Sequence, residues 1–124
     1  MPVLLPEDYK YKLPKMYTVR QNFPDEHLEN PEKILRESLD REEIRSLVKP
    51  GMKTAVAVGS RGITGISQIV KITVDFLKEL GVSPFIVSAM GSHGGGTKEG
   101  QREVLAGYGI TEEAMGVPVV TDTD

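Results

Sequence analysis

The sequence predicts an α/β domain built on a parallel sheet, and three observations predict it. Two short apolar runs, residues 54–58 and 85–87, each end in a glycine-rich turn, residues 59–63 and 91–97. Each turn opens into a segment whose apolar residues recur at helical spacing. A third apolar run, residues 117–120, follows the second of these segments. Strand, turn and helix repeated in that order is the grammar of right-handed βαβ crossovers.

Taken in chain order, residues 1–14 read as an extended arm. Pro2, Pro6 and Pro14 oppose helix, and Tyr9 and Tyr11 stand two apart, as on one face of a strand. Residues 15–23 alternate around Met16 and Thr18 and are expected to add an edge strand. Asn30-Pro31-Glu32 is a helix start, with a capping side chain, proline at the first helical position and a carboxylate in the first turn. Ile34, Leu35 and Leu39 continue it, and Asp40 with Glu43 three residues later predicts a break and a second, boxed cap. Lys49-Pro50-Gly51-Met52 is a turn.

Residues 53–58 lack polar alternation after Thr54, which predicts a strand buried on both faces. A helix opening at Thr64 or Gly65 should bury Ile66, Ile69, Val70, Thr73, Leu77 and Leu80, and Gly81 should stop it. Residues 84–89 form the second buried strand. Thr97 caps a helix with Glu99 in its first turn and Val104 and Leu105 inward, and Thr111-Glu112-Glu113 opens another helical turn. The expected architecture is a Rossmann-like βαβ domain spanning residues 1–124. Because the chain stops just after a strand, it is expected to be the N-terminal part of a longer one.

The 124 residues contain no cysteine, so disulfides, thiolate metal sites and a cysteine nucleophile are excluded. No stretch approaches the roughly 18 consecutive apolar residues of a membrane span. Residues 1–15 carry early prolines and charges and no apolar core, unlike a signal peptide. A net charge of −3, with Lys and Arg scattered, argues against nucleic acid as a partner. A cytoplasmic protein with a small-molecule ligand is the expectation.

Turns that follow parallel strands share one sheet edge, the carboxyl edge, where α/β proteins bind ligands. If the two strands are neighbours, about 4.8 Å apart, Arg61 and His93 face one pocket. In the first turn glycines allow close approach, Ser60 and Thr64 offer hydroxyls, and Arg61 adds a fork suited to phosphate or carboxylate. The glycine spacing fits neither a Walker A loop nor G-x-G-x-x-G, and a solvated arginine in a tight turn is the plain alternative. In the second turn His93 precedes three consecutive glycines. A plain connection has no use for so flexible a run, which favours an acid/base histidine over one bonded to its own loop. No second His, Asp or Glu stands at ligand spacing, so no metal site is expected here. His27 reads as a surface residue. Asp122 and Asp124 could suggest metal binding but are weak evidence for it, and Met16, Met52, Met90 and Met115 are too dispersed to form a groove.

The runs Val58-Gly59-Ser60-Arg61-Gly62-Ile63, Ala89-Met90-Gly91-Ser92-His93-Gly94-Gly95 and Glu99-Gly100-Gln101 resemble the amino-terminal domain of the lactate racemase family. Tyr17-Thr18-Val19-Arg20-Gln21-Asn22-Phe23 resembles its less characterised branch, and the likeness runs over about residues 17–120. The resemblance implies an isomerase that racemises or epimerises a 2-hydroxy acid by reversible hydride transfer to a nickel-pincer nucleotide. It implies that His93 is one of two acid/base residues, with Ser92 beside it at the substrate. Ser60 and Arg61 would hold cofactor, and Arg61 substrate as well. Ser60 and Ser92 each stand where threonine is usual. Val58 stands where that family has Asp, so lactate itself is not implied. The second histidine, a cofactor-bearing lysine and a nickel-ligand histidine would lie beyond Asp124, in a C-terminal domain. The chain alone is therefore expected to be inactive and free of the cofactor. The competing readings are another nucleotide-dependent enzyme on the same turns, and a non-catalytic domain that binds an anion or nucleotide.

Overall fold

The computed structural model describes residues 10, 14–24 and 26–122. Most of the expected N-terminal arm, Tyr9 and Tyr11 included, lies outside the described residues, as does Asp124. The chain runs α1 (Pro31–Leu39), α2 (Glu42–Arg45), β1 (Lys53–Val58), α3 (Ile66–Glu79), β2 (Ser83–Ser88), α4 (Lys98–Gly107), α5 (Glu112–Met115) and β3 (Val119–Val120). The strands form one parallel sheet in the order β1-β2-β3, with Val58 beside Ser88 and Ile86 beside Val119. This is the Rossmann-like α/β arrangement that the repeated strand, turn and helix demand.

The caps hold the helices where the sequence places them. Asn30 accepts from the Lys33 N–H with Pro31 at the first helical position, Thr97 accepts from Gly100, and Thr111 accepts from Ala114. The break after Leu39 is also present, but its box is not. Arg41 rather than Asp40 stands at the cap of α2, without a side-chain bond, and the Asp40 carboxylate pairs with Arg45.

Each crossover moves the chain one strand further in the same direction, so right-handedness places α3 and the α4–α5 pair on one face. The core follows: Val58, Ile86 and Val119 from the sheet meet Val70 and Val74 of α3, Leu105 of α4, Ile110 and Met115. This corrects the expectation that β1 is buried on both faces. Its residues alternate, with Val56 and Val58 turned inward and Ala55 and Ala57 exposed. No helix of the described chain covers the second face.

Two further corrections have equally local causes. Residues 14–24 carry no strand, and Met16, Tyr17, Val19 and Phe23 are exposed. Alternation makes a strand only where a ladder receives it, and the prolines at both ends of this segment have no N–H to offer one. On α3 the buried set is Val70, Val74, Phe76 and Leu77, whereas Ile69 is exposed. That helix is covered from two sides. Val70 and Val74 face the sheet, while Phe76 turns toward α1, where the Arg36 guanidinium lies 5.2 Å from its ring centre and pairs with Glu79. Arg36 holds the Glu79 carboxyl below its ordinary value by that hydrogen bond.

At the open edge of β3 the outward backbone of Val119 is occupied by side chains. Arg102 donates to its carbonyl at 2.8 Å, and its N–H donates to Glu112 at 3.2 Å. The Val119 N–H and then Arg102 hold the Glu112 carboxyl below its ordinary value. A charged pair seated on an edge strand discourages another strand from adding there.

Candidate functional site

Because Val58 and Ser88 are in register, the turns after β1 and β2 leave the sheet side by side at its carboxyl edge. Between them lies an open concavity of about 440 Å³, lined by Gly59, Ser60, Arg61, Ile63, Ile66, Ala89, Met90 and His93. The structure thus brings Ser60, Arg61 and His93 to one site. Ser92 is exposed beside His93 but does not line the concavity.

The second turn owes its shape to its glycines. The backbone of His93–Gly96 kinks at Gly94 (φ 63°) and Gly95 (φ 69°), which take a left-handed conformation that other residues rarely adopt. Gly94 packs directly on Gly100 of α4: a Cβ built at Gly100 would lie 1.9 Å from the Gly94 carbonyl oxygen. Gln101, the next residue, is 2% exposed. Its amide N–H donates to the Gly91 carbonyl at 2.8 Å, and its amide oxygen accepts from the Ser88 hydroxyl. The His93 N–H donates to the Met90 carbonyl at 3.2 Å. The imidazole itself is exposed, and its Nδ1 meets the Ser60 hydroxyl.

The first turn has fewer restraints. Arg61 through Gly65 are exposed, and the Arg61 guanidinium has no ion-pair partner among the described residues. Gly65 takes φ 74° at the mouth of α3, whose first turn carries no acidic residue to neutralise its N–H groups. Besides the Ser60–His93 contact, the Tyr108 hydroxyl reaches this turn from outside and donates to the Ser60 carbonyl at 2.6 Å.

The sequence marks Gln101 only as part of the Glu99-Gly100-Gln101 run and Tyr108 not at all, and assigns neither a role, yet both shape the site. A signal for them exists. Val104 and Leu105 mark the inward face of α4, and one turn back along that face falls on Gln101, a polar residue at a core position. The turn after Leu105 falls on Tyr108.

The remaining candidates do not converge. His27 is exposed and far along the chain, in a segment without helix or strand. Asp122 pairs with Lys98 beside a separate concavity of about 420 Å³, where Arg102 and Glu112 also satisfy one another. Among the described residues no three or more His, Cys, Asp or Glu are grouped to hold a metal ion. None of their helices is long and apolar enough to cross a membrane.

Fold and site together define an α/β domain with a concavity at the carboxyl edge of a parallel sheet, furnished with an imidazole, a hydroxyl and an unpaired guanidinium. Comparison with protein-family models, with curated proteins and with solved structures yields no match.

Proposed function

We propose that the chain is the acid/base half of a lactate-racemase-like isomerase acting on a 2-hydroxy acid in the cytoplasm. The observation that supports this most is the convergence of His93 and Arg61 on one concavity from two neighbouring strand ends. Arg61 binds the substrate carboxylate, or a cofactor phosphate, as a planar fork. His93 takes the proton of the substrate hydroxyl and returns it in the reverse direction. Ser92, beside His93, is assigned to the substrate, and Ser60 and Arg61 to the cofactor side.

A nickel-pincer nucleotide, when bound, would supply the acceptor for the substrate's hydride. The described residues fit one part of such a group: the exposed turn and unpaired Arg61 suit its phosphate. They offer no cluster for the metal. Its ligands, the carrier lysine and a second acid/base histidine are assigned to a further, C-terminal domain.

The test is made on the complete gene product, matured with cofactor-synthesis enzymes. Nickel and the absorbance of the nucleotide should copurify with it, and one enantiomer of a 2-hydroxy acid should lose its optical activity. His93→Ala should abolish turnover while ligand affinity stays within about tenfold, because proton transfer and not binding is lost. Racemisation that survives His93→Ala removes the acid/base role. A non-catalytic anion-binding domain would instead lose its ligand with Arg61→Ala and be indifferent to His93→Ala.

A further inference from the structure

The contact between His93 and Ser60 is built from three elements. His93 sits on the turn after β2, and its Nδ1 meets Ser60 on the turn after β1. The Ser60 carbonyl is held by Tyr108 at the end of α4. Gln101, two helical turns earlier on the same face of α4, holds Gly91 and Ser88 at the base of the His93 turn. Helix α4 therefore braces both ends of the Ser60–His93 contact.

We propose that Ser60 is the positioning residue for His93: by accepting the Nδ1 proton it makes Nε2 the nitrogen that exchanges protons with a bound ligand. The inference rests on the reading of His93 as an acid/base group and adds which nitrogen works and what selects it. A charged imidazole donates from both nitrogens, so Ser60 Oγ must then accept from Nδ1. If Nε2 gives up its proton, that bond persists unaltered. If Nδ1 gave up its proton, the hydroxyl would have to rotate and donate. Proton exchange at Nε2 is thus the route that leaves the pair undisturbed, and the brace from α4 keeps the two residues in register while it happens. In this arrangement the serine's own proton is turned away from the imidazole and is available to the concavity that Ser60 lines.

The readout is the tautomer of the neutral imidazole, from long-range proton–nitrogen NMR correlations on the 15N-labelled chain. His93→Ala assigns the signals, since His27 is the other histidine. The neutral ring should carry its proton on Nδ1, with Nε2 unprotonated. Ser60→Ala should lower the ratio of Nδ1–H to Nε2–H about fivefold, the effect of losing one hydrogen bond of ordinary strength. Ser60→Thr, which keeps the hydroxyl, should restore it. Tyr108→Phe should shift the ratio in the same direction as Ser60→Ala, by less. An Nε2–H ring in the unsubstituted chain overturns the proposal without recourse to any variant. So does a ratio that Ser60→Ala leaves unchanged while its amide spectrum remains that of the folded chain. The measurement needs no substrate, so it separates the two readings. An Nδ1–H ring in a protein that neither holds nickel nor racemises keeps the positioning role and removes the racemase. Racemisation by a protein with an Nε2–H ring does the reverse.

Discussion

The two glycine turns end neighbouring strands at the same edge of the sheet, yet they are built on opposite terms. The His93 turn is fixed from beneath, by backbone packed on backbone at Gly94 and Gly100 and by the buried Gln101 amide. The Arg61 turn stands in solvent, and Tyr108 tethers it at the Ser60 carbonyl. The difference matches the two tasks proposed for them. Proton transfer requires a partner within hydrogen-bond reach, so a small displacement ends it. Attraction between a guanidinium and an anion falls off only gradually with distance, so the arginine tolerates a mobile seat.

If rigidity is concentrated in the His93 turn, Gly100→Ala breaks it most severely. The new methyl would be driven into the Gly94 carbonyl, and that atom is backbone, so the turn and α4 must separate. Overpacking of this kind costs about 3 kcal/mol. A denaturant melt should show the midpoint falling with an unchanged slope. A loss below about 1 kcal/mol would mean that the two backbones part easily and that the turn is not locked.

Gln101→Leu comes next. The leucine fits the space but leaves the Gly91 carbonyl and the Ser88 hydroxyl without their partner, at a cost of about 2 kcal/mol. The comparison is sharpened by where the disturbance goes. Amide shifts should move through residues 91–97 and leave residues 61–65 nearly still. Equal movement in both turns would show that they are one mechanical unit.

How much of this the sequence carried depends on whether the cause was local. Caps at Asn30, Thr97 and Thr111 are short-range bonds between neighbours in the chain, and the pattern of polar side chain, proline and acid announces them. The convergence of Ser60, Arg61 and His93 was also legible, because parallel strands with equal phase leave no other edge for their turns. The face burial of β1 was not. Whether a second layer covers a sheet is decided by elements elsewhere, and Ala55 and Ala57 are apolar enough for a core and small enough for a surface. The alternation of valine inward with alanine outward was the available hint. Gln101 was hidden for a related reason: a buried amide is tolerable only when both of its ends find partners, and those partners lie 10 and 13 residues away.

The smallest expected effect tests the other side of the comparison. Gly62 lies in the Arg61 turn, its φ is not in the left-handed range, and a Cβ built on it meets nothing within 4 Å. Gly62→Ala therefore introduces no clash and removes some freedom from the unfolded chain, which alone stabilises by about 0.4–1 kcal/mol. Stability should stay level or rise slightly, and the His93 tautomer should not change. The result carries weight because the same chemical change, one methyl on a glycine, is predicted to be severe at the α4 glycine packed beneath the His93 turn and silent within the Arg61 turn. Should Gly62→Ala prove as damaging as Gly100→Ala, the first turn also has a fixed shape, and Arg61 is then held for its ligand as strictly as His93 is for its proton.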